Sequence, residues 1–327
     1  MKPTIPRAPT VMNVDKGEET AGMWITPHLN KGNFRLLLIS FFLLMAALAC
    51  QGSQATPLAT MEAGDQLHSL RVNDLERTYL LHVPAGLFPD QPSPLLLVFH
   101  GYRNNAETAR LISGFNRIAD DEHFIVAYPN GTGYAANSLS WNGGRCCFYA
   151  RDNNIDDVGF TRQMIADIES FIRIDPKRIY ATGMSNGGIF SYRLACEMSD
   201  TFAAVAPVAG SLLYEPCQPE QPISIIHVHG LEDTIVPYDG NGAPPELSDV
   251  GFTPVEVGIT FWAEQNGCPT SALVEQDGTI THSKYSPCRN NTAVELYAVA
   301  GTGHTWPMLK IQTSRVIWDF FTTHPKP

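Results

Sequence analysis

Positive charge is scarce in this sequence, and charged residues are few altogether. Its 327 residues include 22 Lys and Arg against 33 Asp and Glu, which gives a formal net charge of −11, and only 17% of the residues are charged. Nucleic-acid binding needs a cationic surface, so we expect no nucleic-acid partner. The same excess of acidic groups is a poor match to polyanionic substrates such as pectate.

No apolar run is long enough to cross a membrane comfortably as a helix. Residues 36–49 are almost wholly apolar, but they fall short of the roughly 20 residues that a spanning helix needs. They follow Lys31 and Arg35 and lead into small residues, which is the order of a signal peptide. We therefore expect residues 1–49 to be a leader and the mature chain to be exported.

Cys50 lies at the end of this leader. Residues 47–50, Ala-Leu-Ala-Cys, resemble a bacterial lipobox, and a lipid on Cys50 would anchor the protein to the cell-envelope membrane through the polar segment 50–64. The alternative is ordinary cleavage nearby, which would release a freely secreted protein. Either outcome places the mature chain in an oxidising compartment.

The cysteines are few and lack the paired C-x-x-C spacing of zinc sites, so we expect no bound metal. Six of the 7 lie after Cys50, an even number that suits disulfide bonds in an exported protein. Cys268 and Cys288 bracket a loop, and we expect them to pair. The other four allow three pairings: Cys146, Cys147, Cys196 and Cys217. Because adjacent cysteines form a strained ring, we expect Cys146 and Cys147 not to bond each other.

Strand patterns alternate with helix patterns through residues 65–327. Apolar runs predict strands at 77–84, 94–100, 123–128, 179–183, 202–209, 223–229 and 293–300. Helical periodicity predicts helices near 158–173, 187–198, 255–266 and 314–324. This alternation is typical of an α/β fold with a mostly parallel central sheet and helices on both faces. Because there is no internal repeat or Ser/Gly linker, we expect a single domain.

A Gly-x-Ser-x-Gly turn joins a predicted strand to a predicted helix at residues 183–187. The glycines two residues before and two after Ser185 allow the backbone to reverse sharply and the strand to pack closely against the helix. Such a turn lifts the serine hydroxyl above the carboxyl edge of the sheet, and the strand-turn-helix context distinguishes it from an ordinary loop. We predict that Ser185 is a nucleophile.

A serine nucleophile needs a base that takes its proton and an acid that orients the base. In α/β-hydrolases the acid and then the histidine follow the serine along the chain, each after a strand. The predicted strand 223–229 leads into a loop that carries Asp233, which we predict to be the acid. Glu232 and Asp239 in the same segment are the alternatives.

His304 follows the predicted strand 293–300, and flanking glycines would allow its loop to approach the nucleophile closely. We predict that His304 is the base. His227 and His229 are alternative bases. They lie too close to Asp233 in the sequence for the usual arrangement, and their alternation places them on one side of a strand.

Acyl transfer by a serine also needs backbone amides that stabilise the tetrahedral oxyanion. The amide of Asn186, directly after the nucleophile, is the expected first donor. The second donor should follow an early strand, and residues 93–101 have that form, because an apolar run ends there in a single His-Gly pair. We predict the amide of Tyr102 as the second donor. The alternative is that His100-Gly101 merely ends a buried strand.

In combination and in order, these segments resemble the secreted esterases that group polyhydroxybutyrate depolymerase-like proteins with bacterial feruloyl and acetylxylan esterases, within the α/β-hydrolases. The resemblance covers about residues 65–325. It rests on these segments: His100-Gly101, Trp141-Asn142 with Cys146-Cys147, residues 157–160, residues 178–188, His229-Gly230 with Asp233 and residues 236–238, and residues 303–307.

The resemblance carries functional residues onto this chain. It implies a catalytic triad and two oxyanion amides, at Ser185, Asp233, His304, Asn186 and Tyr102. Trp306, beside the predicted base, and Trp141 are expected near the pocket for the acyl or alcohol group, and core packing is the alternative for both.

The resemblance implies a monomeric serine esterase that needs neither a metal nor an organic cofactor. Its expected substrates are feruloyl or acetyl esters, as small molecules or linked to plant polysaccharide. The alternative is a polyhydroxyalkanoate depolymerase or oligomer hydrolase. A hypothesis of another class is an envelope lipoprotein that uses the hydrolase fold as a non-catalytic binding module, which the intact set of Ser, Asp and His disfavours.

Overall fold

The computed structural model describes residues 62–87 and 91–327 of the chain. The predictions of a leader, of lipidation at Cys50 and of most of the polar tether fall on residues 1–61 and lie outside the described residues. None of the helices in the described part of the chain is both long and apolar enough to span a bilayer.

The described residues form strands and helices that alternate along the chain. The strands are β1 Gly64–Val72, β2 Leu75–Val83, β3 Ser93–Phe99, β4 Ile125–Pro129, β5 Thr132–Gly133, β6 Leu139–Ser140, β7 Ile174–Met184, β8 Ala204–Val208, β9 Ser224–Gly230, β10 Leu273–Asp277, β11 Ile280–Tyr285 and β12 Val294–Val299. The helices are α1 Ala106–Ser113, α2 Phe115–Glu122, α3 Phe148–Asp152, α4 Asp157–Glu169, α5 Asn186–Glu197, α6 Val255–Gln265 and α7 Thr313–Thr323.

Ten of these strands form one sheet in the order β1-β2-β4-β3-β7-β8-β9-β12-β11-β10, and β5 pairs with β6 separately. The six strands from β4 to β12 in this order are parallel. Antiparallel strands extend the sheet on both sides. Because the carboxyl ends of parallel strands meet at one edge, the loops that follow β3, β7, β9 and β12 lie along that edge.

Apolar side chains cover both faces of the sheet. Along β3, Leu95, Leu97 and Phe99 belong to one core and Leu96 and Val98 to the other, because successive side chains point to opposite faces. Helices α4, α5 and α6 contribute to the first core, and α1, α2 and α7 to the second. The predicted α/β-hydrolase class, with a mostly parallel sheet between helices, is confirmed.

Three disulfide bonds occur among the described residues. The structure joins Cys268 to Cys288 and Cys196 to Cys217, with Cα atoms 4.1 and 5.0 Å apart. It also pairs Cys146 with Cys147 across a cis peptide bond, so our expectation that these two would not bond each other is wrong. Because Cys196 and Cys217 bond each other, Cys146 and Cys147 remain as the third pair. Their Cα atoms are 3.1 Å apart.

Candidate active site

Ser185 lies in the sharp turn between β7 and α5, at the carboxyl edge of the sheet. Its φ of 58° and ψ of −122° place it in a strained region that L-residues rarely adopt. A Cβ on Gly187 would lie 2.2 Å from the carbonyl oxygen of Phe99, and one on Gly183 would lie 2.6 Å from Gly187. The glycines therefore permit a close approach of β3, β7 and α5 that leaves the Ser185 side chain partly exposed.

His304 and Asp233 meet at the same edge, in the loops that follow β12 and β9. Nδ1 of His304 lies 2.7 Å from Oδ2 of Asp233. The contact assigns a proton to Nδ1, which donates to the carboxylate, and leaves Nε2 able to accept a proton. The imidazole is 17% exposed, whereas the carboxylate is fully buried. Such a pair is built to take up a proton from a group in the adjoining cleft.

Ser185 and His304 both lie in loops at the carboxyl edge of the sheet, although the structure records no hydrogen bond between their side chains within the described residues. Met184, directly before the serine, and Trp306, two residues after the histidine, border one small cavity. Catalytic hydrogen bonds in unliganded enzymes are often long and tighten when substrate binds. The structure thus brings Asp233 and His304 into contact and places Ser185 at the same edge of the sheet.

Asp233 is held by donors on both carboxylate oxygens. Oδ1 accepts hydrogen bonds of 2.9 Å from the amides of Ile235 and Val236. Oδ2 faces His304 and also lies 3.3 Å from Nε2 of His229. Burial acts to raise the pKa of the Asp233 carboxyl, but the hydrogen bonds from His229 and His304 outweigh it and hold that pKa well below its usual value. The group is therefore a fixed carboxylate at neutral pH.

The alternative acids have other contacts. Glu232 accepts a 2.7 Å hydrogen bond from the amide of Thr302, which ties its loop to the loop of His304. Asp239 accepts from the amide of Asn241 in an exposed turn. Within the part of the chain that the structure describes, no three or more His, Cys, Asp or Glu side chains are grouped to hold a metal ion.

The two predicted oxyanion donors border the same cleft as Ser185. The amides of Tyr102 and Asn186 have no hydrogen-bond acceptor among the described residues, so both are available to a ligand. A Cβ on Gly101 would lie 3.4 Å from Cβ of Ser185, which shows that the loop after β3 runs directly beside the nucleophile. Amides beside the nucleophile are a requirement for stabilising a tetrahedral oxyanion.

The cleft next to Ser185 has a volume of about 330 Å³ and a largely apolar wall. The rings of Tyr102 and Phe148 stack with centroids 3.6 Å apart. Further apolar residues line it: Ile189, Ile235, Val236, Pro244, Leu247 and Phe252. Two residues of opposite charge, Arg103 and Glu246, also border it. The volume falls within the range of small-molecule sites in enzymes.

Neither predicted substrate-binding tryptophan lines this cleft. Trp141 is fully buried, its indole donates to the carbonyl of His100 at 3.0 Å, and its backbone is clamped by the Asn186 side chain at 2.7 and 2.9 Å. Trp306 is 4% exposed and donates to Ser314 Oγ. Both positions agree with the core-packing alternative. Trp141 nonetheless supports the site, because it fixes the residue that carries one oxyanion amide.

Sequence reasoning missed two features of the site. The paired Cys146 and Cys147 form part of the cleft wall, whereas the sequence analysis considered them only as disulfide candidates and as part of the family resemblance. The imidazole of His229 contacts the carboxylate of Asp233, and His227 lies behind it. The alternation of these histidines on one strand was visible in the sequence, but their hydrogen-bond partners come from distant segments.

Comparisons with known proteins identify the family and the fold. A family model described as esterase PHB depolymerase matches residues 77–231. Feruloyl esterase B of Piromyces equi is 31% identical over 250 residues, which cover 75% of this chain but only 44% of that protein. "Putative esterase NocK" of Nocardia uniformis subsp. tsuyamanensis is 32% identical over 249 residues, 71% of each chain. The solved acetyl xylan esterase from Aspergillus awamori has the same fold, with a TM-score of 0.58 at 15% identity over 79% of this chain and 99% of that chain.

Proposed function

This chain belongs to the esterase family described as PHB depolymerase, and on that premise we propose that it hydrolyses feruloyl or acetyl-type esters of plant polysaccharide through an acyl-enzyme on Ser185. It is a carboxylesterase by family. The observation that carries the proposed chemistry is the 2.7 Å contact of His304 with Asp233, at the sheet edge that also carries the strained turn of Ser185.

In the first step, Nε2 of His304 takes the hydroxyl proton of Ser185 while the oxygen attacks the ester carbonyl. The positive charge that develops on the imidazole is stabilised by the buried carboxylate of Asp233. The negative charge on the carbonyl oxygen is stabilised by the amides of Asn186 and Tyr102. The C–O bond to the alcohol then breaks, and the alcohol leaves with the proton from His304.

In the second step, a water molecule attacks the acyl-enzyme. His304 removes a proton from that water, and the same two amides stabilise the second tetrahedral intermediate. Collapse of the intermediate returns the proton to Ser185 and releases the carboxylic acid. Every proton transfer uses one nitrogen of one histidine, because Nδ1 stays bound to Asp233 throughout.

The shape and lining of the cleft support an aromatic acyl group. An acetyl group would leave most of a cavity of about 330 Å³ empty, whereas a hydroxycinnamoyl ring can fill it. The stacked rings of Tyr102 and Phe148 offer an aromatic wall beside the nucleophile. Feruloyl esterase B, which is similar to this chain, carries the same substrate class in its name.

A second candidate is hydrolysis of polyhydroxyalkanoate chains or oligomers. The description of the matching family model as esterase PHB depolymerase favours it. The apolar cleft also suits a hydroxyalkanoate acyl group, whose side chains are aliphatic. The aromatic wall is the reason that we place it second.

Export of the mature chain is part of the proposal. The three disulfides among the described residues support an oxidising compartment. We propose residues 1–49 as a leader, Cys50 as a candidate lipid anchor, 50–64 as a tether and 65–327 as the catalytic domain.

The test is a rate panel on the wild type and on Ser185→Ala. Substrates are p-nitrophenyl butyrate, methyl ferulate, acetylated xylan and hydroxybutyrate oligomers. The substitution should lower kcat by at least about 10⁴-fold on every ester that the wild type cleaves, because it removes the nucleophile. Methyl ferulate should give a higher kcat/KM than the butyrate ester.

Each other outcome selects another function. Equal rates for the two proteins would favour the binding module. A methyl ferulate rate no higher than the butyrate rate would contradict the feruloyl assignment, and fastest turnover of hydroxybutyrate oligomers would establish the second candidate.

A further inference from the structure

A chain of hydrogen bonds runs through the core behind the predicted acid. The hydroxyl of Tyr192 on α5 lies 2.7 Å from Nδ1 of His227 on β9. Nε2 of His227 lies 2.9 Å from Nδ1 of His229. Nε2 of His229 lies 2.9 Å from the carbonyl oxygen of Val236 and 3.3 Å from Oδ2 of Asp233. We call Tyr192, His227 and His229 the histidine relay.

The contacts fix the direction of every hydrogen bond in the histidine relay. The neighbours of Nε2 in His229 are a carbonyl oxygen and an ionised carboxylate, which only accept, so this nitrogen carries a proton. A neutral imidazole with a proton on Nε2 accepts at Nδ1, so His227 donates from its own Nε2. His227 then accepts at Nδ1, and the hydroxyl of Tyr192 is the donor.

The surroundings keep Tyr192 and His227 neutral. Tyr192, His227 and His229 are each 1% exposed. Burial lowers the pKa of His227 well below its usual value, and the neighbouring His229 adds to this effect. Burial likewise raises the pKa of Tyr192. Among the described residues, the titratable or charged groups that face the relay are Asp233, through it His304, and Tyr238, whose ring packs edge-on against His229 with centroids 5.7 Å apart.

We infer that the histidine relay positions the catalytic acid and keeps the catalytic proton on His304; this inference rests on the proposed function. His229 acts on Asp233 in two ways. Its N–H faces Oδ2 directly, and it binds the carbonyl of Val236, whose own amide donates to Oδ1 at 2.9 Å. The ring of His229 therefore positions both carboxylate oxygens of Asp233: Oδ2 by direct contact, and Oδ1 through the backbone of Val236. His229 is a positioning residue, because it contacts the acid and not the reacting atoms.

The relay also decides which imidazole becomes charged. Asp233 lies between two imidazoles, and both could in principle take the proton from Ser185. Nδ1 of His229 is occupied by the hydrogen bond from His227, so His229 has no free lone pair for a proton. His304 binds Asp233 through Nδ1, which leaves its Nε2 able to accept a proton. The proton that leaves Ser185 therefore goes to His304 and returns from it.

A direct test is ¹⁵N NMR of the full protein labelled at its ten histidines. His227 and His229, assigned through variants at each position, should both carry their proton on Nε2 at about pH 7. A proton on Nδ1 of either ring would overturn the inference. This readout does not depend on esterase activity, so it can succeed or fail independently of the proposed function.

Two substitutions at one position separate positioning from stability. His229→Gln keeps an N–H donor where Nε2 lay, whereas His229→Asn keeps only an acceptor where Nδ1 lay. The Gln variant leaves the N–H of His227 without an acceptor, and the Asn variant leaves the carbonyl of Val236 and the carboxylate of Asp233 without this donor. Each variant loses hydrogen bonds in the core, so both should lower the melting temperature by similar amounts. At a temperature where both remain folded, the Asn variant should lose about 10- to 100-fold in kcat with little change in KM, and the Gln variant less than about fivefold.

The acidic limb of the kcat/KM profile gives a second readout. The Asn variant lacks the donor from His229, so Oδ2 of Asp233 binds the protonated imidazole of His304 more strongly and the acidic limb moves to higher pH. The Gln variant keeps a donor at this position, so its acidic limb should stay in place. Equal kcat values for the two variants, or equal profiles, would refute the positioning role while wild-type esterase activity stands.

Tyr192→Phe is a variant that preserves the packing of the core. It removes the hydroxyl that donates to Nδ1 of His227. The Nε2–H signal of His229 should stay in place, because its acceptors, the carbonyl of Val236 and the carboxylate of Asp233, are unchanged. Loss of that signal, or a second tautomer of His229, would show that the tyrosine and not the acceptors at Asp233 sets the direction, against the inference.

Discussion

At the scale of single residues, His100 ties the oxyanion loop to the body of the protein. Its Nδ1 donates to the carbonyl of Gly101 at 2.7 Å, and its Nε2 accepts from the amide of Gly131 at 3.0 Å. Burial lowers the pKa of His100 to about 4; the hydrogen bond to Gly101 opposes this, and the charge of Arg77 adds to it. The loop that carries Tyr102 therefore depends on a neutral histidine.

The neutral His100 makes stability depend on pH in a defined direction. Its pKa is depressed in the folded state, so its contribution is complete above about pH 6.5 and is lost as the pH falls toward about 4. The loss amounts to about 3 kcal/mol of unfolding free energy. Urea unfolding of the wild type and of His100→Asn at several pH values measures it.

Other groups also take up protons as the pH falls from about 6.5 to about 4. The test is therefore the difference between the wild type and His100→Asn. His227 and His324 also have lowered pKa values, mainly through burial, and contribute with the same sign. They are present in both proteins. His100→Asn should be less stable at pH 7 and should show a shallower loss between about pH 6.5 and about pH 4. Parallel curves for the two proteins would contradict the assignment.

At the scale of elements, the elbow depends on how closely α5 packs against β3. Gly187 has no room for a side chain, because a Cβ would lie 2.2 Å from a backbone oxygen. Gly258 in α6 is a matched contrast, since a Cβ there would lie 3.6 Å from Leu212, an ordinary contact distance. A glycine-to-alanine substitution would therefore clash with the backbone in α5 but fit at an ordinary contact distance in α6.

We predict opposite outcomes for the two glycines. Gly187→Ala should lower the melting temperature by at least about 5 °C and kcat by about 100-fold, because α5 must move and carry Ser185 with it. Gly258→Ala should stabilise by about 0.5–1 kcal/mol, because alanine favours a helix, and should leave kcat unchanged. Thermal unfolding and esterase assays check both. Full activity in Gly187→Ala would show that the elbow tolerates displacement.

The sequence predicted the buried strands and the longer helices. It missed the exposed strands and the 8-residue helices α1 and α2, although these two helices bury part of the second core. The strand predicted at 94–100 corresponds to β3, whose residues are all buried, and the helix predicted at 187–198 corresponds to α5. The edge strand β10 is exposed at every position, and β1 is exposed at alternate positions, including Leu67. Such strands carry no apolar pattern, because they are held by backbone pairing to a neighbour.

For the site residues too, the sequence predicted what depends on local pattern and missed what depends on contacts between distant segments. Ser185, Asp233 and His304 each follow a strand of the parallel region, so local sequence was enough to select them and the topology brings them to one edge. The relay depends instead on Tyr192, which contacts His227 across 35 residues of sequence. Local patterns cannot predict such a contact, because it is set by how α5 packs on the sheet.

At the scale of the whole molecule, the net charge controls which substrates approach the cleft. The full chain carries −11, and it would carry −13 without residues 1–49, which hold five Lys and Arg and three Asp and Glu. At the mouth of the cleft Arg103 and Glu246 are one cation and one anion, so their charges largely cancel at a distance. The field that an approaching substrate meets is therefore that of the whole acidic protein.

This field predicts a salt dependence that distinguishes two feruloylated sugars. For a feruloylated galacturonate oligosaccharide, kcat/KM should rise about two- to tenfold between about 10 mM and about 150 mM NaCl, because the Debye length falls from about 30 Å to about 8 Å and repulsion is screened. A neutral feruloylated arabinose oligosaccharide is the control, and its kcat/KM should stay constant. A fall for the anionic sugar would mean that a local cationic site, centred on Arg103, attracts it. Arg103→Gln would then remove the salt effect, whereas under our prediction it leaves the rise in place.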